Sequence, residues 1–274
     1  MEFSGQEKNQ GQAPQDPHDT HDPEVPAPIH YFGDIGTAFE PAWSLIGEGR
    51  LPVWGSVLAE SQSRGRGRGG KPWVSPRGHV YAALRLPPGS PLDGPIASIG
   101  LALLASLALG ELFGREIGIK WPNDLILGQG KVGGLLLEAR RGALVAGIGL
   151  NLGAPPPGAR EEGSLAPPAG ALPVGLGPGE LWPRLARQMR ICYNQRFVGP
   201  DGPVLGPPGL ADLATARLLG LGREVSVHSP SSVPPLPGQV LSGRLAGLDP
   251  SGALLIEAGQ GRVAVWSGTL VLDR

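Results

Sequence analysis

Apolar positions along the chain fall into blocks whose spacing changes from segment to segment. Ile96, Ile99, Leu103, Leu104 and Leu107 recur every three or four residues, which puts them on one stripe of a helix from about Pro95 to Phe113. Leu181, Leu185, Met189 and either Cys192 or Tyr193 repeat that spacing and predict a second helix over Glu180–Phe197. Between the two lie short apolar runs: Ile117–Trp121, Asp124–Leu127, Lys131–Ala139 and Ala143–Leu152. They are separated by Pro122, by Gly128-Gln129-Gly130 and by Arg141-Gly142, the pattern of antiparallel hairpins. Upstream, Gly36–Gly49 has helical spacing, and strands are predicted at Pro52–Ala59 and Gly78–Leu86 on either side of a Gly/Arg loop, Arg64–Gly70. Residues 153–179, rich in Pro and Gly, predict an irregular surface loop. Arg223–Leu272 holds four or five strand-like runs with turns at Asp249-Pro250-Ser251-Gly252 and Gly259-Gln260-Gly261, enough for a small β-barrel. The whole predicts an α+β fold, a sheet layered with helices, followed by a small all-β unit.

Composition changes this picture in three places. With 45 glycines and 31 prolines in 274 residues the chain approaches low-complexity usage, yet its 41% hydrophobic residues are grouped in blocks that can offset ordering entropy. The single cysteine, Cys192, excludes an internal disulfide framework and a Cys-based zinc cluster, and it predicts a reducing, cytoplasmic setting. Its place in the second helix makes it a packing thiol. Net charge is −1, but residues 1–28 carry Glu2, Glu7, Asp16, Asp19, Asp22 and Glu24 against Lys8 alone. That stretch is expected to be a disordered acidic tail, with His18 and His21 solvated rather than ligating a metal, and no DNA-reading helix can be drawn in it. The folded part is expected to divide into 29–219 and 220–274. No signal peptide is predicted, and the uncharged run Gly94–Gly110 is expected to be a core helix rather than a membrane span.

Candidate chemistry begins at Gln62-Ser63-Arg64-Gly65-Arg66-Gly67-Arg68-Gly69-Gly70-Lys71-Pro72-Trp73. Alternating glycine lets the backbone approach a ligand and present N–H groups, and Arg64, Arg66, Arg68 and Lys71 add cationic donors, so an anionic ligand is implied. A nucleic-acid contact and a solvated loop are the other readings of the same letters. The chain has four lysines, and three of them (Lys71, Lys120, Lys131) fall in this loop or in the segment Lys120-Trp121-Pro122-Asn123-Asp124 with its following hairpin. A lysine kept among apolar strand residues suggests a compact ammonium that approaches a polar group, against the plainer reading of a side chain snorkelling from a strand end. Alternation turns Ile119 and Trp121 away from Lys120. From Ala143 to Asn151 one face is apolar, while the other (Ala143, Val145, Gly147, Gly149, Asn151) becomes small and ends in an amide. That suits either a pocket floor or a tight strand contact.

These segments resemble the biotin protein ligase family. The match rests on Gln62 with Gly65-Arg66-Gly67-Arg68-Gly69-Gly70-Lys71-Pro72-Trp73, on Ile119-Lys120-Trp121-Pro122-Asn123-Asp124-Leu125, on Lys131-Val132-Gly133-Gly134-Leu135-Leu136-Leu137-Glu138 and on Gly147-Ile148-Gly149-Leu150-Asn151. With Val265-Trp266-Ser267-Gly268 it covers nearly all of 30–274. The resemblance implies a catalytic domain with a class II aminoacyl-tRNA synthetase-like mixed or antiparallel sheet, a carboxy-terminal SH3-like β-barrel, and the form without an amino-terminal DNA-binding domain. It implies two half-reactions: biotin and ATP give biotinyl-5′-adenylate, and a lysine of a biotin carboxyl carrier domain then attacks it. ATP with Mg2+ and biotin are substrates, and no metal ligand is assigned. On that pattern Lys120, Arg66 and Arg68 are catalytic. Gly36, Thr37, Gln62, Gly65, Gly67, Trp73 and Gly149 join them around biotin and adenylate, and Asn123, Asp124, Lys131 and Asn151 lie near phosphates, magnesium or nucleotide. The implied partner is the carrier domain of a biotin-dependent carboxylase, with no DNA or membrane and with a homodimer kept open. The chain departs from the family pattern at Gly36-Thr37-Ala38, where a Ser-Thr-Asn element is usual, and at Gly69 and Pro72, where basic residues are common. A lipoate or octanoyl transferase of the same superfamily and a nucleic-acid-binding module are the alternatives.

Overall fold

The computed structural model describes residues 26–89, 92–159, 167–173, 175–199, 202–228, 239–259 and 261–272. The acidic-tail reading of residues 1–28, with His18 and His21, thus lies outside the described residues up to position 25. The chain runs β1 (Ile29–Ile35), α1 (Phe39–Gly47), β2 (Ser56–Gln62), β3 (Val80–Leu86), α2 (Ala97–Phe113), β4 (Gly118–Lys120), β5 (Asp124–Leu127), β6 (Gly130–Arg140) and β7 (Ala143–Leu150). It continues with α3 (Pro178–Cys192), β8 (Val198–Gly199), β9 (Gly202–Pro203), α4 (Pro207–Thr215), β10 (Glu224–His228), β11 (Val240–Leu248), β12 (Leu254–Ala258), β13 (Gly261–Val265) and β14 (Thr269–Leu272).

Seven strands form one sheet in the order β1-β2-β3-β7-β6-β5-β4. It is mixed, because β1 runs parallel to β2 while the other neighbours are antiparallel. The hairpins expected from β4 to β7 are all present, and the β6–β7 turn uses Arg141 at φ 50° and Gly142 at φ 79°, both in the left-handed region that such two-residue turns require. Ala146, Ile148 and Leu150 on one face of β7 enter the main core, as the alternation expects, and Val145 on the other face packs with Ala38, Phe39, Ala42 and Leu45 around α1.

Three local expectations need correction. Residues 52–55 form a turn closed by Gly55 N–H to the Pro52 carbonyl at 2.9 Å, with Trp54 at φ 66°, so β2 starts only at Ser56. Helix α2, by contrast, is the core helix expected, buried from Ile99 to Leu109 because α3, α4 and the sheet enclose it. The 153–179 segment is not wholly a surface loop. Leu172 is fully buried and bridged to Leu152, with its N–H on the Asn151 carbonyl at 2.8 Å. Helix α3 ends at Cys192 and is continued by a π-helical turn, Tyr193–Phe197. Sequence spacing gave no warning of β1, α4 or the β8–β9 pair.

The last five strands form an antiparallel sheet in the order β13-β12-β11-β10-β14. The expected barrel is not closed among the described residues, since β13 and β14 end the sheet on opposite sides. Val225, Leu245, Leu254 and Ile256 of this sheet continue the core that contains α2. Between α4 and β10, residues 217–219 lie along β4: Ile119 N–H donates to the Arg217 carbonyl and Leu219 N–H to the Ile119 carbonyl, both at 2.8 Å. The short strand carrying Lys120 is therefore held on both sides. Among the described residues no helix is long and apolar enough to cross a membrane.

Candidate active site

One row across the large sheet assembles the site. Lys120 stands opposite Asp124, Asp124 opposite Gly134, and Gly134 opposite Gly149. Directly opposed residues share a face, so a buried ammonium and a carboxylate stand at the end of a floor without side chains. Gly147 extends the floor one step along β7.

The Gly/Arg segment lies over this floor as a tight hairpin. Gln62 N–H donates to the Ser75 carbonyl at 3.0 Å, Trp73 N–H to Gly65 at 2.9 Å and Gly67 N–H to Lys71 at 2.7 Å. The tip at Gly69 and Gly70 has φ 68° and 75°. Gly70 N–H also turns inward, to the Gly67 carbonyl at 3.3 Å, so the N–H groups of Gly67 and Gly70 are used inside the hairpin. Glycine is still needed at position 65, where a Cβ would stand 2.5 Å from both Ser75 Oγ and the Trp73 carbonyl.

Trp73 covers the floor. A Cβ on Gly149 would lie 2.6 Å from Trp73 Nε1, and one on Gly134 would lie 3.0 Å from the same ring. The indole Nε1 is buried without a hydrogen-bond partner. Phe39 covers the neighbouring step, 2.5 Å from a Cβ at Gly147. Of the two readings of the small face, a tight strand contact is not what these glycines meet: the rings of Trp73 and Phe39 lie against them.

The cations diverge from the hairpin. Arg64 pairs with Glu40 at 2.9 Å, above Gly36. Arg66 pairs with Glu138 at 2.5 Å and stands 5.8 Å from the Phe39 ring centroid. Arg68 donates to Ser267 Oγ at 2.8 Å and lies 5.7 Å from the Trp121 ring. Burial holds the Arg68 guanidinium below the usual arginine range, with Asp124 opposing that shift. Three arginines tied in three directions do not form the stripe that a nucleic-acid backbone follows.

Lys120 is 5% exposed and makes no hydrogen bond or ion pair among the described residues. Burial pushes its pKa down, Asp124 pulls it up, and Lys131, Lys71 and Arg68 press it down further. Lys131 instead bonds Asp124 at 2.7 Å and lies 5.1 Å from the Trp73 ring centroid. Asn123 and Asn151 act as staples: Asn123 Nδ2 donates to the Leu135 carbonyl at 2.6 Å and Asn151 Nδ2 to Gly170 at 2.8 Å. At the far end, Gln62 Oε1 accepts from Ala38 N–H at 2.8 Å and its Nε2 donates to Ser75 Oγ at 3.1 Å. Beside it Thr37 is 5% exposed, and its Oγ1 is buried without a partner. An orphaned hydroxyl next to a held amide is what a polar ligand head group would satisfy.

The sequence singled out these residues but missed what holds them: Phe39, Glu138, and the Ser267-Gly268 turn that receives Arg68. Glu138 and Ser267-Gly268 stood in matched segments with no role assigned, and Glu138 is in phase with Gly134 and Leu136 on β6, whereas Phe39 left no signal. Cys192 is fully buried and its thiol is pushed up to about 11 by burial, consistent with a packing role. Among the described residues no three or more His, Cys, Asp or Glu side chains gather as a metal site.

The chain belongs to the biotin/lipoate A/B protein ligase family, whose model matches residues 42–154. Within that family its relatives are biotin ligases. It is 34% identical over 226 residues, 76% of this chain and 86% of the relative, to the biotin–[acetyl-CoA-carboxylase] ligase of Paracoccus denitrificans. It is 30% identical over 230 residues to the corresponding ligase of Mycobacterium tuberculosis, covering 78% of this chain and 77% of that one. The biotin protein ligase of Aquifex aeolicus, solved in complex with biotin and ATP, superposes with a TM-score of 0.67 at 23% identity, over 90% of this chain and 99% of that chain, a likeness of fold.

Proposed function

We propose that this chain is an ATP-dependent biotin protein ligase, which joins biotin to ATP as biotinyl-5′-adenylate and passes the biotinyl group to a lysine of a biotin carboxyl carrier domain. The observation that carries the reading is the register row Lys120, Asp124, Gly134 and Gly149 under a cationic hairpin: a buried ammonium without a direct partner beside a floor where a ligand can lie against backbone.

Thr37 and Gln62 take the ureido head of biotin, supplying the hydroxyl that has no protein partner. Its tail runs over Gly149 and Gly147 once Trp73 gives way, bringing the carboxylate to Lys120 and Arg66. The carboxylate oxygen attacks the α-phosphorus, the bond to the β-phosphate breaks and pyrophosphate leaves. Negative charge grows on the phosphoryl oxygens, and Lys120 and Lys131 are fixed cations that stabilise it without reorganising, while Arg68 at the hairpin tip shields the adenylate from water. Magnesium enters with ATP as part of that substrate, near Asp124. In the second step the carrier amine attacks the biotinyl carbonyl and AMP departs. Gly36, Gly65 and Gly67 let the hairpin close, and Asn123 and Asn151 hold the strands under it.

We assign residues 29–219 to a catalytic unit related to class II aminoacyl-tRNA synthetases, and residues 220–274, with their open five-stranded sheet, to an SH3-like unit. The one cysteine, buried, suits a cytoplasmic setting shared with the carrier. The test is incubation with labelled biotin, ATP-Mg and a carrier domain, with lipoate in a parallel arm. Label transferred from biotin and not from lipoate is expected, and lipoate transfer alone would overturn the assignment.

A further inference from the structure

We infer that Glu138 is a positioning residue that sets Arg66 against the biotin carboxylate and ties it to α1, which begins just after Thr37 and Ala38; this rests on the ligase reading. Glu138 stands near the end of β6, two steps beyond Leu136 and four beyond Gly134 on the face of the glycine floor. Its Oε1 receives Arg66 at 2.5 Å. Its Oε2 receives the indole N–H of Trp43, on α1, at 3.1 Å and the guanidinium of Arg140 at 2.9 Å, and Arg140 in turn lies 5.0 Å from the Trp43 ring centroid.

An ordinary surface ion pair is worth little, because water screens it and two long side chains lose rotamer freedom. Glu138 differs in both respects. Its side chain is only 17% exposed, and one oxygen is fixed by two further donors, so Arg66 meets an acceptor that is already immobile. Arg66 itself is 43% exposed on a glycine-rich hairpin and has only the Phe39 ring beside it otherwise. Without Glu138 its guanidinium has many rotamers to choose from, and the ordering entropy falls on substrate binding instead. One carboxylate between two arginines leaves positive charge at the site for the incoming anion. Through Trp43 the same carboxylate reaches α1, whose first residue follows Thr37 and Ala38.

The experiment follows biotin-dependent exchange of pyrophosphate into ATP by the full chain. Glu138→Gln keeps an oxygen for Trp43 and removes the charge facing Arg66. The KM for biotin is expected to rise roughly tenfold, about the worth of one charge-assisted hydrogen bond, with the KM for ATP unchanged within about twofold. In an Arg66→Ala background the same substitution should add nothing, because Glu138 acts through Arg66. Trp43→Phe keeps the ring, removes one donor to Oε2 and should raise the same KM a few-fold, so the proposal stays testable if Glu138→Gln fails to fold. An unchanged KM for biotin in the variant that folds, an equal rise for ATP, or a full loss repeated without Arg66 would each overturn it. A wild-type chain without biotin-dependent exchange would overturn the ligase reading and this inference with it.

Discussion

Lys120 is the residue at which burial and charge are most opposed. The residue is 5% exposed and has no direct partner among the described residues, so burial disfavours its charged form, a cost that a bound carboxylate or phosphate would offset. Lys120→Ala should therefore leave the thermal midpoint unchanged or slightly raised while adenylate formation falls by roughly 10²–10³-fold, the scale of losing one fixed donor to a developing charge. Lys120→Arg should not recover the rate, since a planar fork does not fit where a point charge sits. Near-wild-type exchange by the arginine variant would sink the assigned role. Trp73 offers a separate reading of the same space. Its ring lies on Gly149 with an unsatisfied Nε1, so biotin with ATP-Mg should move it and change its fluorescence. The change should vanish in Trp73→Phe; a signal of unaltered size there would mean that another tryptophan reports it.

At the scale of elements, the last turn of the floor depends on a histidine. His79, just before β3, is 8% exposed, and its Nδ1 accepts the N–H of Leu152 at 3.1 Å, directly after Asn151. That bond needs a neutral Nδ1, and burial holds the His79 pKa below the ordinary 6.5. The unfolded chain therefore binds more protons as pH drops below 6.5. The stabilising contribution is complete above that value and is lost as pH falls through the lower folded pKa. The thermal midpoint of the wild type should fall more steeply below about pH 6.5 than that of His79→Gln, which keeps an acceptor and cannot titrate. Parallel curves would show that His79 does not titrate as described. This contact was invisible in sequence, because 73 residues separate its partners. What was legible was local. Alternation gave the β4–β7 hairpins, the facing of Ile119 and Trp121 away from Lys120 and the apolar side of β7. Spacing gave α2 and α3, and the uncharged run in α2 gave its place in the core. The strand expected from Pro52 failed because apolar letters in 52–55 close a turn, a choice made by backbone geometry at Trp54 rather than by hydrophobicity. The motif residues were found by kind, whereas the contacts that hold them, to Glu138, Ser267 and Phe39, come from tertiary packing that spacing alone does not pair.

Across the whole molecule, the small sheet reaches back into the site at two points. Trp121 Nε1 donates to the Gly252 carbonyl, in the turn between β11 and β12, at 3.0 Å. Arg68 lies against that same indole and donates to Ser267 Oγ at 2.8 Å and, longer, to the Gly268 carbonyl at 3.4 Å, in the turn between β13 and β14. The tip of the hairpin is thus clasped between the two sheets, with a half-buried guanidinium as the clasp. A group in that place keeps water out more than it drives phosphoryl transfer. Arg68→Ala should still form biotinyl-adenylate yet release it about tenfold faster. Ser267→Ala lies outside the catalytic residues and removes only one acceptor of the clasp. If the small sheet contributes to retention, this variant should shorten the adenylate lifetime in the same direction by a few-fold, since one hydrogen bond to a charged group is worth about 1.5–3 kcal/mol and the Gly268 carbonyl remains to take up part of it. Both lifetimes can be read by chasing enzyme-bound labelled adenylate with unlabelled biotin and ATP-Mg. An unchanged lifetime in Ser267→Ala beside a shortened one in Arg68→Ala would mean that Arg68 retains the adenylate from its own contacts with the ligand, and that the small sheet takes no part in closing the site.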